Sequence, residues 1–131
     1  MKKDIKIPQV VDVFMAIVYE YNEAFKCYDW NAYLINQQEN DLEMVLIVSK
    51  GYSDEKSTAV MRRKLEHLPA KSFAKIEMIQ EDVLALNNEF NVTFFSNNKL
   101  YDKTYLFKQH TISEKTIKLI PFLDKNGIVL T

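Results

Sequence analysis

The stretch Glu89-Phe90-Asn91-Val92-Thr93-Phe94-Phe95-Ser96-Asn97-Asn98-Lys99-Leu100-Tyr101-Asp102-Lys103-Thr104-Tyr105-Leu106-Phe107 reads as two strands joined by a two-residue turn. Asparagine tolerates positive φ, which a type I′ connection needs at both central positions, so Asn97-Asn98 sets the register. It places Phe90 opposite Tyr105, Val92 opposite Lys103 and Phe94 opposite Tyr101 on one face. Asn91 then meets Thr104, and Thr93 meets Asp102, on the other. Turn chemistry and two-faced patterning agree on a hairpin with strands from Glu89 to Ser96 and from Lys99 to Phe107. Lys103 interrupts the apolar face; its stem is expected to run along that face while its ammonium reaches water. The set Phe90, Phe94, Tyr101, Tyr105 and Phe107 would also suit a platform for sugars or bases, but a polar opposite face assigns it to the core.

Upstream, Tyr28 to Asn36 and Leu42 to Lys50 read as a second strand pair across the polar stretch Gln37-Gln38-Glu39-Asn40-Asp41. Met44, Leu46 and Val48 point one way and Val45 and Ile47 the other, so this strand is apolar on both faces and something must cover the second. The carboxy-terminal segment and a second copy of the protein are the candidates. A third pair joins Thr58 to Glu66 with Phe73 to Ile79 through Leu68-Pro69-Ala70-Lys71-Ser72. Ala59, Met61 and Leu65 share one parity, as do Ala74, Ile76 and Met78, leaving Arg62 and Lys64 facing solvent. Val10 to Tyr21 fits a helical stripe as well as a strand, and its Val, Ile, Phe and Tyr content favours the strand. Near the end, Thr111 and Glu114 form a capping-box pattern that predicts a short helix limited by Pro121, with Asn126-Gly127 as a turn before Ile128-Val129-Leu130. The expected architecture is an antiparallel β-sandwich (immunoglobulin-like) of about seven strands with one short C-terminal helix, a single domain over residues 1–131.

The bulk numbers suit one ordinary globular core: 131 residues, 47% apolar and 27% charged. With 17 basic and 18 acidic side chains the net charge is −1, which gives no global reason to expect a nucleic acid or an anionic membrane as partner. Charge is uneven along the chain. Seven basic and three acidic residues between Ser49 and Lys75 give +4, whereas four acidic residues and no lysine or arginine between Ile76 and Asn98 give −4. Arg62-Arg63-Lys64 is the sharpest basic element, but in a strand its side chains split between faces, where charge discourages edge pairing. Cys27 is the sole cysteine, so no intramolecular disulfide forms and a buried, inert thiol is expected. The terminus begins Met1-Lys2-Lys3, but the apolar stretch after it is interrupted by Asp12 and lacks a cleavage pattern; no segment approaches a membrane span. A cytoplasmic setting is expected, which makes the Asn91-Val92-Thr93 glycosylation pattern irrelevant.

Chemistry is thinly signalled. His67 and His110 are the only imidazoles, without metal-ligand spacing, and Lys50-Gly51 lacks the preceding glycine of a phosphate loop. No catalytic, cofactor-binding or metal-binding residue is assigned, and no cofactor is expected. The segments Trp30-Asn31-Ala32-Tyr33-Leu34-Ile35-Asn36, Ser49-Lys50-Gly51-Tyr52 and Leu68-Pro69-Ala70-Lys71-Ser72-Phe73 resemble a family of short uncharacterised bacterial proteins, over most of the chain. Some members carry the label phenylalanyl-tRNA synthetase alpha subunit. That enzyme needs an ATP-binding domain larger than this chain and arginine-bearing motifs that these residues do not show. The resemblance implies no functional residue.

Three functions follow in order of expectation. The first is a non-enzymatic interaction or structural module, a homo-oligomer in its simplest form, with Val45 and Ile47 as the interface test positions. The second is a small-ligand or carbohydrate binder using exposed tyrosines, Tyr52 among them. The third is a small hydrolase using His67 or His110 with a carboxylate brought near by folding.

Overall fold

The computed structural model describes residues 8–131, and the Met1-Lys2-Lys3 terminus weighed as a leader lies outside them. The described residues form nine strands: β1 (Val13–Asn22), β2 (Cys27–Asn36), β3 (Leu42–Tyr52), β4 (Met61–Leu68), β5 (Ser72–Ile79), β6 (Asn87–Ser96), β7 (Lys99–Phe107), β8 (Lys118–Ile120) and β9 (Lys125–Leu130). One short helix, α1 (Glu81–Leu84), precedes β6. The strands make two antiparallel sheets, β5-β2-β1-β9-β8 and β4-β3-β6-β7, whose inner faces share one core. This is the expected sandwich, with two more strands than expected and a strand order of its own. The ambiguous stretch from Val10 to Tyr21 is a strand from Val13 onward, and no part of it is helical. No helix among the described residues is long and apolar enough to cross a membrane.

The β6–β7 hairpin has the register set by its turn, with Phe90 opposite Tyr105, Val92 opposite Lys103 and Phe94 opposite Tyr101. Asn97 and Asn98 both adopt positive φ, 52° and 64°. Phe90, Phe94, Tyr105 and Phe107 are buried, and Phe94 stacks on Tyr101 at 5.2 Å. Lys103 places its ammonium 5.1 Å from the Tyr105 ring centre and donates to the Thr131 carbonyl, as a half-buried amphipathic side chain does.

The other two expected pairs do not form. β2 lies between β1 and β5, while β3 lies between β4 and β6 in the opposite sheet. The 37–41 and 69–71 connections are therefore arches from sheet to sheet. The physical reason lies in β2, buried on both faces from Trp30 to Asn36, which demands an interior position with a partner on each side. Asn36 then joins the arches. Its fully buried Nδ2 donates to the carbonyls of Asn40 (2.9 Å), Pro69 (3.1 Å) and Leu68 (3.2 Å), and its Oδ1 accepts from the Gln38 amide at 3.0 Å. Asp41 adds an outer clasp, accepting from the Ala70 amide and sharing a hydrogen bond with His67 Nε2, each at 2.8 Å.

The alternation of β3 is the expected one, with Met44, Leu46 and Val48 on one face and Val45 and Ile47 on the other, and of two bulges only the one in β5 shifts the parity read from sequence. Met44 takes φ 50° and drops out of pairing with β6, so Val45 and Ile47 face the core while Leu46 and Val48 face outward, half-buried. Substituting Val45 or Ile47 therefore attacks the core, and these positions do not test an interface. In β5 the register slips opposite Ala32/Tyr33, which buries Ile76 and Ile79, turns Glu77 inward to accept from Ser49 Oγ at 2.7 Å, and leaves Met78 exposed. Met61 is also exposed, because β4 and β5 diverge at that end. Where they remain close, Arg63 donates to the Ile76 carbonyl across the gap at 2.9 Å.

The carboxy-terminal segment covers a second apolar face, though on β1 and β2 and not on β3. Ile120 and Leu123 pack with Ala16, Val18, Tyr33 and Ile35 on the outside of the five-stranded sheet, and Phe122 lies 5.5 Å from Phe14. Residues 111–117 form turns where a helix was expected, since Ile112 belongs to the inner core and Ile120 to the outer cluster. One helical face does not serve both. Asn126-Gly127 lies inside β9, and the turn precedes it, with Asp124 at φ 55°. Gly127 is there for clearance, because a Cβ would collide with the Ile17 carbonyl oxygen.

Two outcomes follow. Asn36→Ala strands three carbonyls at the crossing of the arches and is expected to cost about 2–4 kcal/mol, read as a lower urea midpoint at unchanged slope. The Asp41 carboxyl is held below the usual carboxylate range by the His67 hydrogen bond and then by the Ala70 amide. Its contribution is complete above the ordinary value near pH 4 and disappears as pH falls through the lower folded value. Wild type should exceed Asp41→Asn in urea midpoint near neutrality, and the gap should close on acidification below about pH 4.

Candidate functional site

The β1–β2 hairpin carries a ladder of four aromatic rings on its inward face. Asn22 starts the turn by accepting from the amides of Ala24 (2.9 Å) and Phe25 (3.2 Å), and Lys26 closes it at φ 53°. Pairing then sets Tyr21 opposite Tyr28 and Tyr19 opposite Trp30. Ring centres are 5.4 Å apart for Tyr21 and Tyr28, 5.1 Å for Tyr28 and Tyr19, and 4.6 Å for Tyr19 and Trp30. These are favourable stacked and edge-on separations. Exposure grades along the ladder, from 58% at Tyr28 and 47% at Tyr21 to 4% at Trp30.

At its inner end the ladder meets a cavity of about 350 Å³ lined by Trp30, Leu84 and Ile112, with Glu81, His110 and Glu114 among its polar groups. Helix α1 supplies Glu81 and Leu84. β2 supplies Trp30, and the 110–114 segment supplies His110, Ile112 and Glu114, held by the Gln109 amide on Asn87 Oδ1 (2.9 Å) and by Thr116 Oγ1 on the Thr111 carbonyl (3.0 Å). Burial, followed by the charges of Glu114 and Glu81, pushes the Tyr19 phenol above its ordinary range. Both carboxylates therefore act at the ladder's edge. Neither has an ion-pair partner among the described residues.

Two other concavities have internal hydrogen bonds among their polar groups. A cleft of about 430 Å³ opens where β4 and β5 diverge, with Met61 and Met78 among its lining residues and the Ser49–Glu77 bond inside. The outer face of β1–β2 carries a network centred on Glu20, which accepts from Lys125 Nζ (2.9 Å), Asn31 Nδ2 (2.8 Å) and Tyr33 OH (2.7 Å). Burial alone would raise the Glu20 carboxyl, but these donors hold it below its usual range. Burial and then Glu20 push the Tyr33 phenol well up. Asn31 Oδ1 is buried there without a hydrogen-bond partner.

The residues singled out in sequence are scattered. His67 pairs with Asp41, both half-exposed, and serves the arches. His110 does line the concavity beside Ser113, yet no hydrogen bond joins them; Ser113 Oγ instead accepts from the Lys115 amide. A base–nucleophile contact of the kind a hydrolase uses is not assembled among the described residues. Tyr52 ends β3, donates to Glu89 at 3.2 Å and has no place in the ladder. Cys27 is exposed, against expectation, because this end of β2 lies at the hairpin turn, away from the core. The decisive residues Tyr19, Tyr21, Tyr28 and Trp30 went unread in sequence, although Asn22 marks the turn that pairs them. Comparison with protein-family models, with curated proteins and with solved structures finds no match for the chain.

Proposed function

We propose that the protein is a non-enzymatic binding module that holds a small ligand in the open concavity beside Trp30, between the β1–β2 hairpin, α1 and the 110–114 segment. The observation that carries this reading is the graded ladder running from exposed Tyr28 to buried Trp30 at a concavity with polar groups on its rim. A concavity of this size suits a small ligand, with Trp30, Leu84 and Ile112 as its apolar floor and Glu81, His110, Ser113 and Glu114 to fix orientation. Tyrosines exposed to such a degree stabilise the fold less than they would if buried, so their clustering is better explained by recognition.

Self-association is a second reading, supported by one observation. Met44 (69% exposed), Phe95 and Leu100 lie at one end of the outer face of the four-stranded sheet, with Phe95 and Leu100 in direct register. Pairing through sheet edges is less favoured, since β4 carries Arg62-Arg63-Lys64 and β5 has its bulge capped by Arg63.

A thermal-shift panel of sugars, nucleotides, amines and aromatic acids, read in parallel by the fluorescence of the single tryptophan, tests the first reading. A true ligand at 100 times its dissociation constant stabilises by about 2.7 kcal/mol, perturbs Trp30 and loses both effects in Tyr28→Ala. Stabilisation that leaves Trp30 silent, or none at all, would end it. For the second, light scattering over micromolar concentrations should show a dimer that Leu100→Asp converts to monomer; a wild-type monomer throughout excludes it.

A further inference from the structure

We infer that the cleft between the diverging edges of β4 and β5 is a second binding site, for a linear apolar chain whose polar head donates a hydrogen bond. It shares no lining residue with the concavity beside Trp30 and does not depend on that reading. Strand register shows how it is built. On the four-stranded sheet Met61, Ser49 and Phe90 stand side by side across β4, β3 and β6, on the same face as buried Val45 and Ile47. On the five-stranded sheet Glu77 and Ile79 pair with Ala32 and Trp30, which belong to the inner core. All five side chains thus face the space between the sheets. Phe90, Ile79 and Ser49 are buried there, but Met61, in the same inward row, is 56% exposed. Interiors pack densely, so a recess of about 430 Å³ lined by inward-facing side chains is room for an occupant.

The polar groups define the head. Ser49 Oγ donates its proton to Glu77 Oε1 at 2.7 Å, and the other oxygen of that carboxylate has no hydrogen bond or ion pair among the described residues. Both groups can now only accept. The other donors around the cleft are spent elsewhere: Asn88 on the carbonyls of Val83 and Leu86, Thr58 on the carbonyl of Ala59. Lys50, the basic residue lining the cleft, sends its ammonium to Glu89 and over the Tyr52 ring. Exposed Gln80 is the remaining side-chain donor. A carboxylate or phosphate head would therefore meet Glu77 with no cation to offset the repulsion, whereas an alcohol or an amine supplies the donor that the site lacks. Met61, Ala59 and Val83 offer the body apolar surface, and the methionine adapts to its shape.

The full chain, isotope-labelled in its methionine methyl groups, is titrated with 1-octanol, octylamine, octanoate and 1-hexanol and followed by NMR. Met61, assigned through Met61→Leu, is the readout, and Met44, 69% exposed on the outer face of the same sheet, is the control. Octanol and octylamine are expected to move Met61 saturably and leave Met44 in place. Hexanol, two methylenes shorter, should bind roughly tenfold more weakly. Octanoate should be weaker than octanol by about tenfold or more in wild type and should recover in Glu77→Gln, where octanol stays within about threefold. Tighter binding of octylamine than of octanol assigns the head to an amine, and equal binding to an alcohol. A silent Met61, Met44 moving in step with it, or octanoate binding as tightly as octanol in wild type overturns the inference. If Tyr28→Ala abolishes the Met61 response, the chain sits beside Trp30; this site then falls while the ligand-binding reading stands.

Discussion

The buried amide of Asn36 is the constraint on which the sandwich rests. Two arches cross at one end of the molecule, bringing β2 into β3 and β4 into β5, and each brings backbone carbonyls out of water where no strand pairs with them. A buried carbonyl without a donor costs free energy comparable to a lost hydrogen bond. One side chain with two N–H groups and three acceptors within reach settles the matter for both arches at once. Asp41, His67, Gln38 and Ser96 extend the same junction to the surface and to the end of β6.

How much of this is legible in sequence depends on where the deciding interaction lies. The β6–β7 hairpin is legible because its turn residues, Asn97 and Asn98, carry their own conformational preference and sit next to the strands they join. The arches are not. Gln37-Gln38-Glu39-Asn40-Asp41 is as polar as a hairpin loop, and its bonds to Val11, Ser96 and Ala70 involve residues far away in the chain. Single-residue bulges at Met44 and Ile76 have no such signature; the first leaves the alternation from Met44 to Val48 as it reads, whereas the second reverses which side chains face inward beyond it. The capping-box pattern at Thr111 is local and correct as a pattern, but the demand that Ile112 and Ile120 reach opposite sides of one sheet overrides it.

The candidate site has the same division. Its aromatic half is written in alternation across a single turn, Tyr19 and Tyr21 before it and Tyr28 and Trp30 after it, so pairing β1 with β2 is enough to reveal it. Its polar half comes from α1 and from the 110–114 segment, remote in sequence and in different connections. Exposed Glu81 and Glu114 look like any solvated glutamates until the fold puts them beside a phenol. Recognition surfaces assembled from separate connections are a common use of loops on a rigid scaffold.

Strand β9 has a consequence for the order in which the structure can be completed. It slots between β1 and β8, with Gly127 nestled against the Ile17 carbonyl, and the outer apolar cluster is covered by the turn just before it. A chain emerging from the ribosome therefore carries β1 with one naked edge and one greasy flank until residues 120–130 have been made. All eight strands before it wait for a wedge that is made after them. The long-range pairing that results belongs to the slow-folding regime of β-rich domains, and the interval before closure is when a chaperone, or an unwanted neighbour, would find the nascent protein most receptive.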